Sequence, residues 1–206
     1  MTLLEKLLRS KITIYVVLIL MGLWPIAAYF QHNHDMLADP AKYLLLHTGF
    51  CASLLLATVL ALTPLRKIWP QSKLTLALNR HRRLIGVSSF VFACLHLTLH
   101  INYEGGFATF GKDIEKPFIL TGMVAFTILF ILAVTSPNAA IRALGGTRWK
   151  NLHRLTYIAV GLVVYHQSAA RKIFPVQVLW IFVPLALLEI GRIILPLLRT
   201  RSAAQR

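Results

Sequence analysis

The chain has 206 residues, 57% of them hydrophobic and only 14% charged, with a mean hydropathy of +0.66. Soluble domains are about 45–50% apolar and about 25% charged. The composition therefore excludes a disordered chain, a coiled coil and, despite a formal net charge of +15, a nucleic-acid-binding domain in solution. At roughly 20 apolar residues per crossing, six spanning helices would use about 120 positions. The chain reads as an all-α, polytopic membrane bundle.

Six apolar runs follow in order, over 12–30, 43–63, 84–101, 118–135, 151–169 and 174–195, each predicting one transmembrane helix. The first exceeds the 7–15-residue core of a signal peptide and lacks a small-x-small cleavage site, so it reads as an uncleaved anchor. Asp39-Pro40, Thr63-Pro64, Gly105-Gly106, Ser136-Pro137, Gly145-Gly146 and Pro175 punctuate the runs. No internal repeat or low-complexity tract is seen, and residues 1–206 read as a single domain.

The basic residues set the expected orientation. Lys6, Arg9 and Lys11 precede the first run. Arg66, Lys67, Lys73, Arg80, Arg82 and Arg83 fill the second connection, and Arg142, Arg148 and Lys150 the fourth. Arg199, Arg201 and Arg206 close the chain. These fifteen face five on the other side, namely Lys42, Lys112, Lys116, Arg171 and Lys172, which are accompanied by Asp35, Asp39, Glu104, Asp113 and Glu115. The positive-inside bias places both termini in the cytoplasm.

Cys51 and Cys94 are the only cysteines, form no CxxC motif and read as packing residues. The eight histidines carry more information. His32 and His34 fall in an outer loop and His81 in a basic inner one, where solvation is the simpler reading. His47, His96, His100, His153 and His166 lie within or at the edges of apolar runs, where an ionisable residue is costly and points to function. Imidazole suits iron, copper and zinc, and bundle cores house cofactors. His96 lies 13 residues beyond Arg83, and His166 lies 13 beyond His153. Each climb is about 20 Å at 1.5 Å per residue, which levels His96 with His166 toward the outer face as two axial ligands should be. For His100 a plain interhelical hydrogen bond is equally good, and for His47 somewhat better. A bare metal is the weaker option, because no carboxylate or thiolate motif accompanies the histidines. Glu189 is the only acid within the apolar runs, with Arg192 as its helical partner.

Asp39-Pro40, Thr48-Gly49, Thr63-Pro64, Arg82-Arg83-Leu84-Ile85-Gly86, Leu95-His96-Leu97, Arg148-Trp149, Leu152-His153 with Tyr157, and His166 occur in the order seen in the MsrQ (YedZ) family, which the chain resembles from about Asp39 to the sixth run. That family is the haem-binding membrane subunit of a bacterial methionine-sulfoxide reductase system, within the ferric-reductase-like transmembrane domains. The resemblance implies haem b on His96, His153 and His166, with His47 and His100 as lesser candidates. It also implies that Arg82 and Arg83 meet haem propionates or a flavin phosphate. Oxidase relatives stack two haems and place a second histidine about 14 residues before the one on the third helix. Here Arg82 stands there, which leaves an inner haem at His153 without its usual partner. In the second helix, Leu46-His47-Thr48-Gly49 is shifted by one residue from the family's His-x-Thr-Gly. His153 and His166 fall roughly 140° apart on a straight helix, with Gly161 as the place for a local adjustment.

The resemblance implies an inner-membrane cytochrome that is not an enzyme on its own. Electrons would come from quinol or a cytosolic flavin reductase, and flavin mononucleotide is an associated cofactor. They would leave for a periplasmic molybdenum-cofactor subunit that reduces methionine sulfoxide in oxidised proteins. The competing readings are a stand-alone ferric or quinone reductase and, in another class, a proton-coupled transporter, although the paired repeats of transporters are not evident.

Overall fold

The computed structural model describes residue 7 and residues 9–204, with side chains as far as Leu195. Lys6 and Arg206, counted above as inner basic residues, lie outside the described residues, as do the side chains of Arg199 and Arg201. Every regular element among the described residues is helical.

Short polar side chains start several of the helices. Ser10 accepts the Ile12 N–H at 3.2 Å before α1 (Lys11–Phe30), and Asn33 accepts that of Met36 at 3.1 Å before the short α2 (His34–Ala38). Asp39 caps α3 (Pro40–Ile68) through the Lys42 N–H at 2.9 Å, with Pro40 in the first turn, where its missing N–H costs nothing. That backbone donor is the main reason the Asp39 carboxyl sits below its usual range. Pro64, expected to separate two elements, instead lies buried inside α3, which continues to Ile68.

Beyond it come α4 (Lys73–Arg80), α5 (Arg82–Tyr103), α6 (Phe107–Asp113) and α7 (Pro117–Val134). The last four helices are α8 (Asn138–Leu144), α9 (Gly146–His153), α10 (Leu155–Ala169) and α11 (Val176–Ala204). Among the described residues, five helices are long and apolar enough to cross a membrane: α1, α3, α5, α7 and α11. The run over 151–169, expected as one helix, is divided between α9 and α10 at Arg154, and α10 alone has 15 residues.

Helix α3 is the axis of the bundle. Half of its most apolar window is buried, against 17–22% for the other four candidate spans. It packs on α1, α5 and α11, and α7 packs on α10. Cys51, Leu55 and Leu62 of α3 meet Ile14 of α1 and Ile85 and Phe92 of α5. On the other side, Ala57 and Leu60 meet Val178, Ile181 and Phe182 of α11, while Leu56 joins Leu129 of α7 and Ala159 of α10. The outward faces of α1 and α11 expose Ile12, Trp24, Phe30, Trp180, Leu187 and Ile193. Such continuous apolar surface is rare on a protein surrounded by water and matches a lipid surround.

Candidate haem site between two helix pairs

The histidines separate by position. His32 and His34 are exposed, whereas His81, expected in solvent, is only 5% exposed. His47 bridges α3 to α1, donating Nε2–H to the Met21 carbonyl at 2.7 Å, with the Cys51 sulfur 3.4 Å away and Tyr43 stacked beside it. It lines a cavity of about 450 Å³ together with Asp35, Asp39 and Arg171.

His96 of α5 and His166 of α10 face each other across a second cavity of about 310 Å³, with ring centres 6.1 Å apart and ring planes at 87°. His96 Nδ1 lies 2.9 Å from the Leu45 carbonyl of α3, and His166 Nδ1 lies 2.7 Å from the Phe118 carbonyl of α7. A carbonyl can only accept, so both nitrogens carry the proton and both Nε2 atoms keep a lone pair. Metal-binding histidines are held in this way, with the second nitrogen donating to a carbonyl or carboxylate. Gln167, next to His166, donates to the Ser53 hydroxyl and ties α10 to α3.

Leu45, Phe50, Leu56, Phe126 and Leu129 give the cavity an apolar wall. One end is polar, with Lys42, Lys116, Arg171, Glu104 and His100 in the lining. His100 is one turn beyond His96, sits edge-on to Phe110, and its buried Nε2 has no hydrogen-bond partner. Asp113 pairs with Lys116 at 2.7 Å, and this hydrogen bond holds the ammonium group above the usual lysine range.

These residues fit a haem. Two metal–imidazole bonds of about 2 Å plus the half-widths of the rings require ring centres about 6 Å apart, close to the observed 6.1 Å. The apolar slot suits a porphyrin, and the cationic end with the orphaned His100 nitrogen suits its carboxylate arms. A bare metal fits less well, since no group of three or more His, Cys, Asp or Glu suited to an ion occurs among the described residues.

His153 stands apart from the cavity. Its Nε2 is 3.3 Å from the Thr135 hydroxyl, and Trp149 lies tilted against the ring, centres 4.1 Å apart, while donating to the Thr135 carbonyl. The sequence offers Gly161 as the place for an adjustment between His153 and His166, but the regular helix is instead interrupted for one tighter turn at Arg154, whose backbone stays right-handed helical. Arg82 donates to Thr63 at 2.7 Å and Arg83 to Asn138 at 2.6 Å, and neither lines the cavity of the facing histidines. Glu189 and Arg192 form their ion pair at 2.8 Å, with the Tyr157 hydroxyl bridging both. Sequence reasoning missed Gly122 and the cations at the outer mouth. The mouth was legible only as a scatter of outer-loop charges, and Gly122 carries no signal until its partner helix is known.

Residues 48–164 match the family described as ferric reductase like transmembrane component. Three similar relatives are each named the heme-binding subunit MsrQ of a protein-methionine-sulfoxide reductase. The one from Polaromonas naphthalenivorans is 39% identical over 76% of this chain and 70% of its own length. That from Herminiimonas arsenicoxydans is 37% identical over 68% and 63%, and that from Brucella ovis 34% identical over 82% and 76%. No solved structure matches the chain.

Proposed function

The chain belongs to the MsrQ family of ferric-reductase-like transmembrane proteins, and on that premise we propose that it is the electron-carrying subunit of a methionine-sulfoxide reductase system in a bacterial inner membrane. The observation that carries this reading is the facing pair, two imidazoles from different helices with both Nε2 atoms uncommitted. His96 and His166 would hold a haem b, with Lys42, Arg171 and His100 available at the polar end of the cavity for its carboxylates. The haem supplies reversible one-electron chemistry at iron. The chain's own part would be to offer an imidazole from each of two helices, which favours electron transfer over oxygen chemistry, and to keep water from the slot with Leu45, Leu56 and Phe126. His153, with Arg82 and Arg83 nearby, belongs to the inner face, where a second haem would need a ligand other than the facing pair.

The 15-to-5 split of basic residues supports cytoplasmic termini, with α9 and α10 together making one interrupted crossing. Reporter fusions after residues 35 and 110 should read periplasm, and fusions after 75, 145 and 206 cytoplasm. A C-terminus outside would remove the orientation and the outward path built on it.

The donor is membrane quinol or a cytosolic flavin reductase, with flavin mononucleotide entering on that side. The acceptor is a separate periplasmic molybdenum-cofactor subunit docked near the cavity mouth, so the chain is not the catalyst itself. Mixing dithionite-reduced protein with that subunit should reoxidise it only when a methionine-sulfoxide substrate is present. Equal reoxidation by ferric chelates, with none by the reductase, would favour a stand-alone ferric reductase.

A further inference from the structure

His96 and His166 come from different helices, yet they are seated on their neighbours by the same construction. His96 takes the Leu45 carbonyl and lies over Gly49, four residues further along α3; His166 takes the Phe118 carbonyl and lies over Gly122, four further along α7. In an α-helix the carbonyl of residue i−4 already accepts the N–H of residue i, and its second lone pair remains available. Access to that lone pair is normally covered by the Cβ of residue i, which tilts toward the helix N-terminus over the preceding turn. Glycine removes the cover.

The clearances show how close the seating is. A Cβ on residue 49 would stand 2.9 Å from both Nδ1 and Cε1 of His96. On residue 122 it would stand 2.6 Å from Nδ1 and 2.8 Å from Cε1 of His166. Real Cβ atoms essentially never approach within 3.0 Å of another heavy atom. The atoms met belong to a rigid ring, which can only escape by turning and giving up its bond to the carbonyl. The glycines on the helices that carry His96 and His166 themselves differ. A Cβ at Gly86 would meet only Val59 at 3.8 Å, and one at Gly161 nothing within 4 Å.

We infer that Gly49 and Gly122 are positioning residues of the site, each leaving the gap through which its histidine holds Nδ1–H on a backbone carbonyl and presents Nε2 to the cavity. The seats fix tautomer and ring orientation independently, so the 87° between the planes is set by two separate helix pairs. The spectroscopic consequence rests on the haem reading above; the seating itself does not.

The test is a set of four alanine substitutions and two double-mutant cycles, read by thermal unfolding in detergent and, where haem is bound, by its low-spin electron paramagnetic resonance signal and midpoint potential. Gly49→Ala and Gly122→Ala should lower the melting temperature and shift or abolish the signal and potential. Gly86→Ala and Gly161→Ala should leave all three near wild type, since alanine is the better helix former. In a His96→Ala background, Gly49→Ala should lose its destabilising effect, and Gly122→Ala likewise in His166→Ala, because the ring that clashes is gone. If Gly49→Ala fails to accumulate and the double variant does, that rescue supports the inference equally. Additive losses, or failure of the single and double variants alike, would overturn it. A haem-free protein would overturn the functional reading, and the cycles would still decide the seating.

Discussion

Replacing either His96 or His166 with alanine should abolish the low-spin b-type spectrum of the purified protein. Each ring keeps an Nε2 free because its Nδ1 is held on a carbonyl, and neither has a substitute: His100 is a turn away at the mouth, and His47 is turned to the Met21 carbonyl. The fold should survive, since the Leu45 and Phe118 carbonyls remain within intact helices and the pair contributes no ionic contact that would be left unpaired. Loss of the spectrum with retained helicity is therefore the expected result. His32→Ala and His34→Ala, at exposed positions between α1 and α3, should leave it unchanged. His153→Ala tests the inner face separately, because its ring lies against Thr135 and Trp149. Loss of part of the haem in that variant would indicate two centres, whereas a full haem complement in His166→Ala would end the proposed ligation.

Ser89→Leu should be the most damaging substitution away from the histidines. Ser89 is fully buried, and its hydroxyl donates to the Ala52 carbonyl at 2.7 Å, joining α5 to α3. Ile85, Ser89, Phe92 and His96 fall at the four-, three- and four-residue spacings of one helix face, so whatever sets the approach of α5 at Ser89 also sets it at His96. Forcing extra methylenes into such a contact typically costs about 1–3 kcal/mol, and here it also wedges α5 from the Leu45 carbonyl. A lower melting temperature together with reduced haem retention is expected. Ser89→Ala removes only the hydroxyl and should cost about 1 kcal/mol, with haem retained. Thermal unfolding and haem-to-protein ratio measured on both variants check the pair; equal effects would show that the close helix approach is not what matters.

Much of this architecture is written in apolar runs, because a spanning helix must satisfy its backbone internally and face lipid. Asp39-Pro40 marks the start of α3 by a capping carboxylate and a proline suited to a first turn, both readable locally. Equal 13-residue climbs, from Arg83 and from His153, level His96 with His166, and the structure brings their ring centres to 6.1 Å. Features that depend on a neighbour were not readable. The break at Arg154 has no glycine or proline at it, and the buried state of His81 is set by the surrounding helices. Pro64 looked like a boundary, yet α3 runs through it. Gly122 sits in an apolar helix like any other small residue, and only the approach of His166 gives it a role.

If His96 and His166 together hold one haem iron, as proposed, low-temperature electron paramagnetic resonance of the oxidised, purified protein will show it. Near-perpendicular axial imidazole planes leave the two iron dπ orbitals almost equal in energy. With ring planes at 87°, a strongly anisotropic low-spin ferric signal is expected, and it should disappear in His96→Ala and His166→Ala. A colourless protein, a high-spin signal in the wild type, or a low-spin signal that survives loss of either histidine would contradict it.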